Sequence, residues 1–556
     1  MPLLTLLGTS DVHAHIHPWN YFRGKEAEVG LAKISTLVKQ ERARQSGQVI
    51  LIDNGDTFQG NPLATYFGRI NAQAPHPVVL TMAAMGYDAM IPGNHDYNYG
   101  AAQLETWRQC LPFPLICANV RDSQGQTCFL PYLIKEIEGI RVAILGLTTP
   151  RIDIWERPEF IQGLQFEEII PAAQALLPQL QAEAVDVLIA SVHSGPERLP
   201  AEANSAISWR SQRSTWVDQP SLEGENMILA LAQAVPEIDV ILCGHTHQAV
   251  PEMWVDNVLI TQPHFWGSQL SRVRLHLEKE QGRWQIQHKA ADLISVTGVP
   301  ADPEILALTQ RHHHQTLAYL EREIGQTLET IPAGWQARFH HGGLAGLINQ
   351  IQIEAVQAAG VAVDLSLACI YTDQGHLQAG PITLRDAYRV TVYENILCVL
   401  EISGEILRAA LEQNATYFRQ LHPQHLPSDP SEVLAPSSRP YQWDIYAGID
   451  YTLDLTQPEG KRVQHLMHQG QLVDDSDHFR LVLNSYRAHG GGGFPMFRQG
   501  SLCWQSADDL RDYLVRYIQT HSPLYPTTFV QSNFQLIPDL YDYYLERSAS
   551  ASASPL

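Results

Sequence analysis

The sequence predicts an α/β N-terminal domain, with sheets flanked by helices, and an α+β C-terminal domain behind it. Three observations carry this expectation. At 556 residues the chain exceeds what one hydrophobic core usually supports. Over residues 1–300 short apolar runs alternate with amphipathic stretches, and beyond residue 300 that alternation breaks. Polar and glycine-rich turns follow the apolar runs, as they do where an open α/β sheet gathers its ligands.

Taken in order, TLLGTSD, QVILIDNGD, YDAMIPGNHD, RVAILGLTTP, DVLIASVHSG and DVILCGHTH each read as an apolar strand entering a turn. Between the first two, Leu31, Ile34, Leu37 and Val38 repeat at helical spacing and predict a crossover helix. Ile228, Leu229, Leu231, Ala232 and Val235 do the same before DVILCGHTH. Such alternation predicts a largely buried sheet over residues 1–300. Residues 301–329 read as a helical linker with a polar face, and its RHHHQ segment as a solvated stretch, because three consecutive histidines cannot share one helical face. Residues 330–545 form the second domain, and the low-complexity segment 546–556 is expected to be disordered.

Composition narrows the function. With 45% hydrophobic and 17% charged residues the chain can build packed interiors. A formal charge of −22 argues against a surface that tracks long nucleic acid, yet bound cations could still draw in a small phosphorylated substrate. Seven cysteines without a CxxC pair predict buried free thiols. No apolar run suits a membrane span, and the N-terminal stretch lacks a basic n-region. As written the chain is expected to be cytoplasmic, or exported if its start is mis-assigned. Oligomeric state has no signature in the sequence.

Five segments carry the chemistry: SDVHAH, NGDTFQG, GNHDYNYG, SVHSG and CGHTH. They offer Asp11, His13, Asp56, Asn94, His193, His245 and His247, each near a strand end, so all seven can converge on one sheet edge. A mixed oxygen and imidazole set of this size suits two divalent ions such as Zn, Mn or Fe. Asp56 is the natural bridging carboxylate.

Read together, DxH…GD…GNH[DE]…H…GHxH resembles the calcineurin-like metallophosphoesterases. Over residues 4–540 the chain resembles their branch of bacterial 5′-nucleotidases and 2′,3′-cyclic-nucleotide 2′-phosphodiesterase/3′-nucleotidases, and YENILCVLEISGEIL, YQWDIYAGIDYTLDLTQP and LNSYRAHGGGGFP resemble that branch's nucleotide-specificity domain. The resemblance implies one metal held by Asp11, His13, Asp56 and His247, and a second by Asp56, Asn94, His193 and His245. It implies that His95 faces the substrate phosphate with Asn98 holding its ring, and that Trp443 and Tyr486 clamp the nucleobase. Gly490 and Gly491, in the HGGGGF run, would let the backbone approach the nucleotide.

Two departures bear on substrate. The 5′-nucleotidase type has an Asp where this chain has Asn98, and an arginine-bearing loop where this chain reads LACIYTDQGHLQAG. Both favour hydrolysis of 2′,3′-cyclic or 3′-nucleotides, with 5′-nucleotides and UDP-sugars as the alternative. A metal-dependent nuclease and a non-catalytic nucleotide-binding protein are the further readings. The retained donors count against the second of these, and the net charge against the first.

Overall fold

Strand Leu3–Thr9 turns Leu4 and Leu6 to one face, as the two-residue period of a strand requires. Those side chains, with Ile50 and Ile52, meet Val142, Ile144, Val187, Ile189, Val240 and Leu242 of a second sheet in one shared core. The protein is described by a computed structural model covering residues 3–44, 48–72, 75–200, 216–219, 221–339, 343–372, 375–436, 438–530 and 533–552.

Met1–Ala318 and Tyr319–Leu556 are separate compact units. In the first, a five-stranded sheet runs Arg283–Ser295, Gln269–Glu280, Leu3–Thr9, Val49–Asp53, Ala89–Met90. A six-stranded sheet runs Ala249–Val255, Val258–Pro263, Val240–Cys243, Val187–His193, Ile140–Thr148, Tyr132–Ile137. Helices Ile169–Ala182 and Ile228–Ala234 cover the outer face of the second sheet through Ile169, Ala172, Ala173, Ile228, Leu231 and Ala232. The predicted crossover helix is Leu31–Arg44, and it buries Leu31, Ile34, Leu37 and Val38.

Register places the motifs. Thr9 lies opposite Asp53 and Asp53 opposite Met90 in parallel pairs. Val192 is level with Cys243, again in a parallel pair. Parallel strands that stop together leave their carboxyl ends, and the turns that follow, at a common edge of each sheet. The single sheet edge expected for the donors is thus two edges, set side by side by the core the sheets share.

The expected linker segment is helical and reaches the boundary between the units, but much of it is packed on the first. Helix Pro303–Leu320 begins inside the first unit and is bound to it. Asp302 accepts from Ser35 Oγ and pairs with Lys39, while Thr309 bonds His17. The histidine run is not simply solvated either. His313 stacks on His17 at 4.3 Å and bonds the Tyr21 hydroxyl at 2.8 Å, and His312 meets Phe67 edge-on. Apolar ring faces gain more from packing than from water, which a count of polar residues does not register.

The second unit holds a five-stranded sheet ordered Asp444–Ala447, Leu365–Cys369, His478–Asn484, Ile396–Ser403, Ser501–Asp509. A four-stranded sheet comprises Gln471–Leu472, Val463–His468, Asp450–Asp454 and Phe534–Ile537. The tail expected to be disordered is helical as far as Ser552, since alanines let the helix begun at Leu540 continue. Residues 553–556 lie outside the described residues. All seven cysteines are free thiols; Cys117, Cys243, Cys369 and Cys398 are buried as expected, whereas Cys110 and Cys503 are exposed. No helix among the described residues is long and apolar enough to cross a membrane.

Candidate metal centre

The seven predicted donors come together as two groups that share one carboxylate. Donor atoms of Asp11, His13, Asp56 and His247 all lie within 4.8 Å of one another, and so do those of Asp56, His193 and His245. Asn94 joins the second group, its Oδ1 2.9 Å from His245 Nδ1.

Hydrogen bonds to backbone carbonyls decide which ring nitrogens remain free, because a carbonyl only accepts. His193 Nδ1 donates to Asn54 O at 2.7 Å, so its Nε2 is the nitrogen that faces Asp56 Oδ2 at 3.2 Å. His13 Nδ1 donates to Gln59 O at 2.8 Å, leaving Nε2 3.0 Å from His247 Nε2. In both places two donor atoms face each other across a gap that a proton bridges in the metal-free protein, and a cation there would take that proton's place. The donor set fits divalent ions.

Electrostatics support the same reading. Burial and the neighbouring His247 hold His13 down to about 3, so it is a neutral ligand-ready imidazole. Burial opposes the Asp56 carboxylate, but His193 and His95 more than offset it and keep Asp56 well below the usual carboxylate range. Burial likewise opposes a charged His193, yet without a metal Asp56 outweighs it and pushes that ring up to about 10; an ion bound at Nε2 would displace that proton.

Backbone strain marks the cluster. Asp11, His13, Asp56, His245 and His247 all have positive φ, between 48° and 70°. Left-handed backbone is costly away from glycine and persists where the surroundings over-determine it. Close approach explains two of the motif glycines. A Cβ on Gly93 would sit 2.2 Å from Asp56 Oδ1, and one on Gly244 would sit 2.1 Å from Ser10 Oγ.

His95 stands beside this cluster. Its backbone N–H donates to Asp56 Oδ1 at 2.8 Å, and its ring Nδ1 donates to Asn98 Oδ1 at 2.7 Å. The ring lies 5.5 Å from that of His13 and is half-buried.

Three supporting carboxylates escaped the sequence reading. Asp96 accepts from the backbone N–H groups of Gly93, Asp56, Thr57 and Phe58 at 2.8–3.0 Å, tying two motif loops together. Glu225 Oε1 lies 3.0 Å from His245 Nε2, which turns Nδ1 toward Asn94. Glu156 accepts from Asn98 Nδ2 at 2.6 Å. Asp96 lies inside the GNHD motif and was legible in principle; Glu156 and Glu225 belong to no motif.

In the second unit the expected aromatic pair divides. Trp443 is fully buried against Tyr417, Phe418 and Phe534, and its indole N–H donates to Arg338 O. Trp443 is therefore core and not the base clamp expected of it, since a ring with no exposed surface cannot stack on a ligand. Tyr486 is 37% exposed and belongs to a chain of rings with Tyr441 at 6.3 Å and, beyond it, Tyr393, which is 53% exposed. Gly490 has φ +84°, and a Cβ on Gly491 would lie 2.6 Å from the Tyr486 ring. Glycine is required there for the ring to lie over the loop. Arg487, ion-paired with Asp444, holds the loop from beneath by donating to Gly491 O at 2.6 Å.

Comparison with known proteins agrees with this architecture. The calcineurin-like phosphoesterase family model matches residues 4–249, and the 5′-nucleotidase C-terminal domain model matches residues 323–499. The trifunctional nucleotide phosphoesterase protein YfkN of Bacillus subtilis is 27% identical over 96% of this chain, which spans 39% of that protein's length. The 2′,3′-cyclic-nucleotide 2′-phosphodiesterase/3′-nucleotidase of Haemophilus influenzae is 26% identical, covering 99% of this chain and 90% of the relative. The solved 5′-nucleotidase precursor from Thermus thermophilus has the same fold, with a TM-score of 0.62 at 22% identity, covering 96% of this chain and 99% of that one. Two matched domains, in this order and over this much of the chain, place it in the calcineurin-like metallophosphoesterases that carry a 5′-nucleotidase C-terminal domain, hydrolases with a dinuclear divalent metal centre.

Proposed function

We propose that the chain hydrolyses 2′,3′-cyclic nucleotides and 3′-nucleotides at a two-metal centre in its first unit. The observation that carries the reading is the sharing of Asp56 between two donor groups. Asp11, His13, Asp56 and His247 would hold one ion, and Asp56, Asn94, His193 and His245 the other, with Zn, Mn or Fe suiting the mixed donors. When bound, such a pair neutralises charge on phosphoryl oxygens and acidifies a water molecule.

The chain's own residues do the rest. Asp96 and Glu225 keep Asp56 and His245 in place through the bonds described above. With Nδ1 engaged by Asn98, the His95 ring presents Nε2 to substrate. As an imidazolium it gives the Nε2 proton to the leaving ribose oxygen while the P–O bond breaks, and ends neutral with Nδ1–H still held. In the second unit the base stacks on Tyr486, with Tyr441 and Tyr393 as its ring neighbours and the Gly490–Gly491 backbone alongside.

Asn98 in place of an aspartate, and the absence of arginine from residues 367–380, support the cyclic and 3′ substrates. The 5′-nucleotidase C-terminal domain keeps 5′-nucleotides and UDP-sugars as the second reading. Phosphate release from 2′,3′-cyclic, 3′- and 5′-nucleotides and UDP-sugars, with Mn or Zn, decides between them. The highest kcat/KM is expected for the cyclic and 3′ substrates. Preference for 5′-nucleotides installs the second reading, and cleavage of an end-blocked oligonucleotide overturns both.

A further inference from the structure

We infer that Glu156 is a positioning residue for His95, acting through Asn98, so that His95, Asn98 and Glu156 work as one hydrogen-bonded relay. The inference rests on the reading of His95 as the group that faces substrate.

Where Glu156 is ionised, above about pH 7, the geometry fixes the direction. Glu156 Oε2 accepts from Asn98 Nδ2 at 2.6 Å, and Glu156 Oε1 accepts from the Arg157 backbone N–H at 3.0 Å. A carboxylate has no proton to offer, so the Asn98 amide must turn its nitrogen to Glu156. Its oxygen then faces His95 Nδ1 at 2.7 Å, which must carry the proton. An isolated asparagine could present either end to the ring; with Glu156 behind it, only one orientation is satisfied. The imidazole is thereby held in the tautomer that leaves Nε2 for substrate.

Glu156 follows the short helix Ile152–Trp155, and only 9% of its surface is exposed. Burial pushes its carboxyl up to about 7, with the Arg157 N–H and Asn98 opposing. A buried carboxylate retained 58 positions from its partner is costly unless its bonds are used. Its neighbour Trp155 lies against Glu225, the carboxylate that orients His245. One turn of chain thus braces both the candidate acid and a candidate metal donor.

The relay makes a reciprocal prediction. Asn98→Asp would set two carboxylates against each other, whereas adding Glu156→Gln would let the glutamine donate to the new carboxylate and still accept from Arg157. Measured at pH 8.5 on a 3′-nucleotide, Glu156→Ala should lower kcat by about 10–100-fold. Its KM, metal content and melting temperature should stay near wild type, and the loss should shrink on p-nitrophenyl phosphate. Asn98→Asp should lose a similar amount, and Asn98→Asp with Glu156→Gln should recover to within a few-fold of wild type. In a His95→Ala background, Glu156→Ala should cost nothing further.

Wild-type kcat for Glu156→Ala, alongside an impaired His95→Ala enzyme, overturns the relay and leaves the proposed function intact. No recovery in the double variant overturns it too, even if Glu156→Ala fails to fold. His95→Ala at the wild-type rate removes the reading of His95 and the relay together.

Discussion

The metal cluster and the tyrosine surface solve recognition by opposite means. In the cluster nearly every group is buried, charged or strained: Asp11 and Asp56 are fully buried, and five of the seven donors hold left-handed backbone. Tyr486 and Tyr393 are exposed, and each meets Tyr441 edge to face. A buried set of like and unlike charges works as a unit, because removing one member strands the others. Stacking rings add their contributions separately and can be exchanged one at a time. Changes in the cluster should therefore be all-or-none in character, and changes on the tyrosine surface graded.

The largest effects fall on the cluster. Stripping a buried pair of one partner costs about 3–5 kcal/mol. By that measure Asp56→Asn should weaken metal binding by roughly 10²–10⁴-fold. Metal content per chain after dialysis, together with turnover, checks this; values near wild type for both would exclude the bridging role. His95→Ala should keep its metal yet lose about 10²–10⁴-fold in kcat. Nitrophenyl phosphate, whose leaving group needs little protonation, should suffer less. An equal loss on all leaving groups would turn His95 from an acid into an electrostatic stabiliser.

Smaller effects on turnover belong to the second unit, and they separate the two aromatic rings. Tyr486→Ala should lower kcat/KM for nucleotides by about 5–150-fold, the worth of about 1–3 kcal/mol of stacking, and should spare aryl phosphates. Trp443→Ala should instead destabilise the fold by about 3–5 kcal/mol and reduce both substrate classes alike. Denaturation curves and paired kinetics read the contrast. Substrate-selective loss in Trp443→Ala with unchanged stability would return that ring to the site.

The last comparison takes the units as wholes and bears on stability alone. Ion binding to the native cluster stabilises it by about 2.7 kcal/mol at a hundred-fold excess over Kd. Added Mn should raise the melting transition of the first unit and leave that of the second unmoved. A rise in both transitions would show that the units do not unfold independently.

The seven donors were legible because each lies at a strand's end or within a few residues of it. Asp11 and His13 follow Thr9, Asp56 follows Asp53, and Asn94 follows Met90. His193 is the last residue of its strand, and His245 and His247 follow Cys243. Strand pattern and motif are local. Parallel register then aligns the strand ends within each of the two sheets, and the packing of the sheets on one core brings the two edges together. The alternation of Leu4 and Leu6, and the helical repeat from Leu31 to Val38, were legible for the same reason. Tertiary structure alone decided the rest. Trp443 and Tyr486 look alike in sequence, but one ring is surrounded by Tyr417, Phe418 and Phe534 while the other lies over a glycine loop. The histidines of helix Pro303–Leu320 became packing groups only because His17, Tyr21 and Phe67 meet them from far upstream. Glu156 and Glu225 acquire their partners at separations of 58 and 20 residues. Periodicity and motif spacing report what a residue is and where its element ends; burial and hydrogen-bond partnership depend on which distant surfaces close over it, and that is settled only when the chain packs.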